Sequence, residues 1–109
     1  MTNLLADDVV FHSPVVHTPQ SGNDLTAQYL AAAFAVLFNP SFEYVRTIAE
    51  GDHAVMEFTV TIDGVAINGV DLVTWNHRDE ICEFKVMLRP LKAINLVHGL
   101  MGAELQRSR

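Results

Sequence analysis

The chain has 109 residues, of which 50% are hydrophobic and 18% charged, and its formal net charge is −6. These values fit a single domain over residues 1–109 with one buried core, and they exclude wholesale disorder. The excess of acidic side chains disfavours binding to nucleic acids and to anionic membrane surfaces, because both carry negative charge. The longest apolar stretch, Tyr29–Phe38, is too short to span a bilayer, and the early acids Asp7 and Asp8 do not suit a signal peptide.

Cysteine and histidine content bears on location and on metal binding. Cys82 is the only cysteine, so no internal disulfide can form, and we expect a small core residue in a cytoplasmic protein. The five histidines show no H-x-x-x-H or H-E-x-x-H spacing. The sequence therefore predicts neither a metal site nor a cofactor.

The first part of the chain predicts a strand, a loop and a helix. Val9–Ser13 is a short apolar run and is typical of a strand, whereas Pro14–Gly22 is rich in turn residues and indicates a loop. Apolar side chains then recur every three or four residues over Leu25–Leu37, which predicts a helix with a broad apolar face. We expect Asn23 or Asp24 to cap its first turn.

The second part predicts a meander of strands followed by a second helix. The strands are rich in β-branched and aromatic residues: Phe42–Glu50, Val55–Ile62, Ala66–Trp75 and Ile81–Leu88. Asp63 and Gly64 form a two-residue hairpin signal, and Leu91–Leu105 has helical apolar spacing. This order favours an α+β fold, a curved antiparallel sheet with helices packed on its concave face, and such a face can enclose a ligand cavity.

Strand alternation predicts which side chains face that cavity. Every second residue of a strand points to the same face, and the more apolar set should face the helices. Together with neighbours on the first strand, the loop and the first helix, this set supplies our candidate ligand-binding residues: Phe11, Val15, Tyr29, Met56, Phe58, Val60, Val73, Trp75, Phe84, Val86 and Leu88.

Asp71 is the most unusual residue of the predicted sheet. Both faces of its strand are fairly apolar, so it lies either inward or on a covered outer face. Desolvation should raise its pKa and make it a candidate catalytic acid or hydrogen-bond donor, with His17 or Ser13 orienting a ligand. The alternative is a structural role, in which Asp71 bonds a loop amide, an arginine or a histidine.

The outer face of the same strand predicts an interface. Val70 and Leu72 point away from the helices, and Met87 on the last strand lies on the same side. Exposed apolar patches of this kind usually mark contact surfaces. We therefore expect a homodimer built on the outer face of the sheet.

Several segments together resemble one protein family. Ala6–Pro14, the Pro-x-Ser-Gly of 19–22, Gly69–Trp75 and Ile81-x-Glu83-Phe84 follow one another as in NTF2-like proteins of the SnoaL-like group. The resemblance implies a cone-shaped α+β barrel with a deep apolar pocket, commonly dimeric through the outer sheet face. Its members include ketosteroid isomerases, polyketide cyclases, epoxide hydrolases, dehydratases and non-catalytic binders.

The resemblance also suggests roles for individual residues. Asp71 falls where ketosteroid isomerase keeps a protonated aspartic acid, and Ser13 falls where that enzyme keeps its general base, a role that serine does not fill. The epoxide-hydrolase pattern is not matched either, because Glu57, Thr59 and Val86 stand near its catalytic positions. Family members also open with a longer helix, whereas only Met1–Leu5 precedes the first motif here. We therefore expect a truncated start, a pocket closed by a partner chain, or an open pocket.

Three functions remain open from the sequence. The favoured one is a non-catalytic protein that binds a hydrophobic, oxygen-bearing small molecule. The second is an enzyme, a cofactor-independent isomerase, cyclase, dehydratase or hydrolase that uses Asp71 as acid or hydrogen-bond donor. The third is a homodimeric interaction domain without a ligand.

Overall fold

The computed structural model describes residues 4–15 and 18–107. Its elements follow the predicted order, with one short additional strand in the loop. They are β1 (Leu5–His12), β2 (Gln20–Ser21), α1 (Asn23–Leu37), β3 (Glu43–Glu50), β4 (His53–Ile62), β5 (Val65–Trp75), β6 (Ile81–Arg89) and α2 (Leu91–Arg107). Within these described ranges, neither helix is both long and apolar enough to cross a bilayer.

The strands form one curved sheet in the order β2-β1-β6-β5-β4-β3, which does not close into a complete barrel. Strands β3 to β6 form the predicted antiparallel meander. The sheet as a whole is mixed rather than antiparallel, because β1 pairs in parallel with β6. This pairing extends the meander at its free edge and brings the first strand beside the last.

The β4–β5 hairpin and the start of α1 differ in how well they match the sequence-based predictions. The hairpin between β4 and β5 turns at Asp63 and Gly64, as predicted, and both residues have the positive φ angles, 50° and 78°, that two-residue hairpin turns favour. The predicted side-chain cap of α1 is wrong. The cap position is Gly22 (φ 101°), no described side chain caps the helix, and the Asn23 amide donates to the carbonyl oxygen of Leu5, at 2.9 Å.

Strand β1 begins earlier than the predicted Val9–Ser13. Leu5 and Ala6 are buried, and the exposed Asp7 and Asp8 occupy an irregularity in the pairing with β6. The two acids therefore point to solvent without interrupting the strand. Acidic residues at a bulge mask the alternation that would have revealed this part of the strand.

Both helices pack on the concave face of the sheet, where two apolar clusters form the core. One is centred on β1, β6 and Leu30 of α1, and the other on β4, the two helices and Ile67. Gly69 on β5 allows the Phe58 ring and Leu88 to meet over the sheet, since a Cβ there would come within 2.7 Å of Leu88 Cδ2 and closer still to the ring. Strand β3 is the exposed edge of the sheet.

Candidate functional site

Asp71 lies on the concave face, near the middle of β5. Its neighbours in the sheet are Met56 on β4 and Val86 on β6, and it is 8% exposed. The inward orientation resolves the choice that the two apolar faces of β5 left open. A carboxyl group has therefore been placed among apolar side chains, under the helices.

The hydroxyl of Tyr44 on β3 donates a hydrogen bond to Oδ2 of Asp71, at 3.4 Å. Sequence reasoning missed this residue. Counted from the β3–β4 turn, where Glu50 pairs with His53, Tyr44 would face outward opposite Thr59. An extra residue in β3 between Tyr44 and Arg46 shifts the register, so that Tyr44 pairs with Phe58 and faces inward.

Burial determines the electrostatics of this pair. Desolvation raises the pKa of Asp71 from 3.8 to about 6, although the Tyr44 hydrogen bond lowers it in part. Desolvation, followed by the nearby carboxyl, also raises the pKa of Tyr44. Among the described residues no Lys, Arg or His forms an ion pair with Asp71, and Arg46 bridges Glu57 on the convex face, with Nε and Oε1 3.6 Å apart. The predicted rise in the pKa of Asp71 is thus confirmed, and an ion pair with Arg46 is not formed.

An aromatic cluster surrounds the cavity beside Asp71. We use this name for Phe34, Phe38, Phe42, Tyr44 and Phe58. Successive rings lie close, with centroids 4.9 Å apart for Phe34 and Phe38, 4.5 Å for Phe38 and Phe42, and 5.0 Å for Phe42 and Phe58. Phe38 follows the last turn of α1 and is 50% exposed, so the cluster reaches the surface there.

Between the described residues of the concave face lie two small cavities, whereas the resemblance implied a deep pocket. Each has a volume of about 20 Å³. One lies beside Asp71, the other beside Ser13 and Pro14, and both are bounded by Ala33, Leu37 and Val86. A space of that size holds roughly one water molecule, whereas ligand pockets usually measure hundreds of Å³. Large side chains from α1 and β6 fill the concavity that the strand pattern predicted.

The predicted ligand-binding residues divide between the cavities and the core. Those that line one cavity or the other are Phe11, Val15, Phe58, Phe84, Val86 and Leu88. The remaining members of the set pack in the two apolar clusters: Tyr29, Met56, Val60, Val73 and Trp75. Their inward orientation agrees with the alternation, and their role in binding remains a prediction.

Of the predicted partners of Asp71, Ser13 does not lie beside it. Ser13 lines the second cavity, where its Oγ accepts a hydrogen bond from the backbone N–H of Val15 at 3.2 Å. His17 lies outside the described residues. His12 points away from the core and lies 3.1 Å from Glu83, measured from Nε2 to Oε2. Among the described residues that line the Asp71 cavity, only Asp71 and Tyr44 are titratable.

The convex face carries a larger and more open groove, of about 360 Å³. Its walls combine apolar side chains with two arginines and a glutamate: Arg46, Ile48, Val55, Glu57, Asn68, Gly69, Val70, Met87, Leu88 and Arg89. Ile48 is 59% and Met87 50% exposed. The apolar outer face that the sequence predicted is therefore present and uncovered in the single chain.

Within the described part of the chain, no three His, Cys, Asp or Glu side chains are grouped closely enough to hold a metal ion. Cys82 is half-buried, and its thiol lies 3.5 Å from the carbonyl oxygen of Thr74. Its surroundings are those of a packed strand residue.

Comparison with known proteins identifies the family. A model of the SnoaL-like domain matches residues 1–84. The chain is similar to a cystatin-like-fold protein from Silicibacter pomeroyi (32% identity, TM-score 0.87), covering 94% of this chain and 71% of that one. It is also similar to a steroid delta-isomerase from Pseudomonas aeruginosa (28% identity, TM-score 0.84), covering 98% and 75% of the two chains. An NTF2-like protein from Mesorhizobium loti shares the fold (21% identity, TM-score 0.70, covering 82% and 75%), whereas no curated protein matches. The chain belongs to the SnoaL-like domain family and has the NTF2-like fold.

Proposed function

We propose that this protein binds a small hydrophobic, oxygen-bearing molecule on the concave face of its sheet, next to Asp71. The observation that carries the proposal is the Asp71–Tyr44 pair, a buried carboxyl and a phenol that face one cavity otherwise lined by apolar side chains. Ligand sites commonly combine an apolar wall with a few polar groups that orient the ligand.

The chemistry of this pair suits an oxygen acceptor. The Tyr44 hydroxyl donates a hydrogen bond, and Asp71 donates one as well when it is protonated, below its pKa of about 6. A ketone or ester oxygen could replace the Asp71 carboxylate as the acceptor of the Tyr44 hydrogen bond. Donors in a dry cavity bind such an oxygen more strongly than donors in water do.

Entry of a ligand requires the cavity to widen, and the aromatic cluster offers a place for this. The Phe38 ring is half-exposed, past the end of α1, and its outward rotation is the movement that we propose for ligand entry. The backbone that follows is held, because the Asn39 amide donates to the carbonyl oxygen of Thr61 at 3.0 Å and the Thr61 N–H donates to Ser41 Oγ at 2.9 Å. Side-chain rotation is therefore the motion we expect.

Calorimetric titration with methyl naphthyl ketone, an apolar carbonyl probe, tests this proposal. At pH 5.5 we expect saturable binding that Tyr44→Phe and Asp71→Ala weaken, because each removes a donor. Ser13→Ala is the matched control, since Ser13 lines the other cavity, and it should bind as the unmodified protein does. Absence of saturable binding, or equal loss in all three variants, would refute the proposal.

An enzymatic role remains the alternative, and the similarity to a steroid delta-isomerase motivates it. Asp71 could supply a proton, but proton-transfer catalysis of that kind also needs a base. Apart from Asp71 and Tyr44, no described residue lining this cavity is titratable. We therefore favour binding over catalysis.

The convex groove supports a second candidate function, homodimerisation through the outer sheet face. Ile48, Val55, Val70 and Met87 present apolar surface around a groove of about 360 Å³. A second copy of the same face would bury this surface in an isologous contact.

We also propose a cytoplasmic location, in keeping with a free cysteine thiol at position 82.

A further inference from the structure

Within the described part of the chain, the Asp71 carboxylate has no cationic partner on the concave face. Its one described side-chain hydrogen bond comes from Tyr44, and the described ion pairs involve other residues. With a pKa of about 6, Asp71 is mainly ionised at neutral pH. An anion is then buried in an apolar cavity, an arrangement that ordinarily costs free energy unless a positive charge compensates it.

The side chains around this anion are those that favour organic cations. The aromatic cluster and Phe84 line the same cavity, so ring faces and one carboxylate converge on a single space. The face of an aromatic ring carries partial negative charge and attracts ammonium groups, most strongly where water is excluded. Alkylated ammonium groups suit such a site better than a bare ammonium, because their methyl groups also fill apolar space.

We propose that the Asp71 cavity takes the head group of a small tertiary or quaternary alkylammonium compound, with the carboxylate as counter-charge and the aromatic cluster as its walls. The inference rests on the proposed function, in that it uses the same cavity as a small-molecule site, but it assigns a different ligand class. The net charge of −6 adds a general attraction for cations around the molecule.

Space for the head group comes from the same ring movement that an uncharged ligand needs. Phe38 and Phe42 have centroids 4.5 Å apart, in an edge-to-face contact at the surface. Outward rotation of the half-exposed Phe38 ring would separate them and leave Phe42, Tyr44 and Phe58 around the cation. The rest of the ligand would extend towards solvent past the end of α1.

The charge of Asp71 makes the proposal testable through pH. Of the described titratable side chains only Tyr44, from β3, faces Asp71. The other neighbours carry no titratable group: Met56 and Phe58 from β4, Phe84 and Val86 from β6, and Leu30 and Phe34 from α1. The association constant for a cation should therefore rise as Asp71 ionises, whereas the association constant for a ketone should rise as Asp71 is protonated.

The experiment compares choline with dimethylbutanol, its uncharged carbon isostere, by calorimetry. At pH 7.5 we expect choline to bind roughly tenfold more tightly than the isostere, because charge is the only difference. Between pH 5.5 and pH 7.5, above the isoelectric point of 5.1, the choline association constant should rise roughly fourfold as Asp71 ionises. Methyl naphthyl ketone should show the opposite slope.

Variants separate this inference from the proposed function. Asp71→Asn should remove the preference for choline and its pH dependence, Phe42→Leu should weaken choline binding, and Ser13→Ala should change neither. If the ketone binds and choline shows no preference over its isostere, the ammonium inference is wrong and the proposed function stands. If choline alone binds with the expected slope, the oxygen-bearing ligand is wrong. If neither probe binds, both proposals fail.

Discussion

The Tyr44 hydroxyl on edge strand β3 reaches across the sheet to Asp71 on β5, with 3.4 Å between the phenol oxygen and Oδ2. Strand β4 lies between the two, and Phe58 on that strand pairs with Tyr44. The hydrogen bond thus links the exposed edge of the sheet to its buried centre. It also makes the environment of Asp71 dependent on a residue that is half-exposed.

The first prediction concerns the free energy of unfolding of Asp71→Asn as a function of pH. The pKa of Asp71 rises from 3.8 to about 6 on folding, so the charged form is disfavoured in the folded state. The contribution of Asp71 to the free energy of unfolding is most favourable below pH 3.8 and is lost as the pH rises towards 6. Above that pH the loss amounts to about 3 kcal/mol. Asparagine removes the charge and still accepts the Tyr44 hydrogen bond.

We therefore expect Asp71→Asn to be as stable as the unmodified protein or more stable at pH 7.5, with any gain fading towards pH 4. Urea unfolding at several pH values measures this. A loss of stability at pH 7.5 that persists at pH 4 would show that the carboxylate has a structural partner, contrary to our interpretation.

The second prediction concerns Tyr44→Phe, which keeps the ring and deletes the donor. The Tyr44 hydrogen bond stabilises the ionised carboxylate and lowers the pKa of Asp71, so its removal should raise that pKa above about 6. Carboxyl carbon NMR chemical shifts, followed through a pH titration, report the midpoint directly. An unchanged midpoint would mean that the 3.4 Å contact carries no electrostatic effect.

How far the site could be predicted from the sequence depends on the residue. Alternation along β4 and β6 was enough to place Phe58 and Val86 inward, because their strands have one clearly apolar face. Asp71 was recognised as unusual, but its orientation was ambiguous because both faces of β5 are apolar. Tyr44 could not be found by counting, since the extra residue in β3 reverses the face to which it points.

The size of the cavity depends on packing, which sequence patterns do not reveal. An inward row of apolar residues describes a filled core as well as the wall of an open pocket. Here Ala33, Leu37 and Val86 border both cavities, so the concave space is divided rather than open. Whether the concave space is filled or open depends on the positions of the two helices over the sheet.

The third prediction concerns two glycines with different surroundings. A Cβ on Gly69 would collide with the Phe58 ring and with Leu88, so Gly69→Ala should destabilise the fold by about 1–3 kcal/mol. Gly99 in α2 has open space around it, and Gly99→Ala should stabilise by about 0.5–1 kcal/mol through helix propensity. Thermal unfolding of both variants checks the contrast. Equal effects in the two would show that the Phe58 ring can move aside, contrary to the tight contact described here.

The last prediction concerns the convex groove and the proposed homodimer. Met87 is half-exposed at this groove, so a charge there should prevent two copies from burying the face while leaving the monomer folded. We expect the unmodified protein to sediment at micromolar concentration as twice its 12.1 kDa mass, and Met87→Glu to sediment as a monomer of about that single mass. Leu91→Glu is the matched control, because Leu91 is an exposed apolar residue at the start of α2 that does not line the groove, and it should remain dimeric. Circular dichroism should show the same folded spectrum for all three proteins. A monomeric unmodified protein, or a dimeric Met87→Glu, would exclude the outer sheet face as the dimer interface.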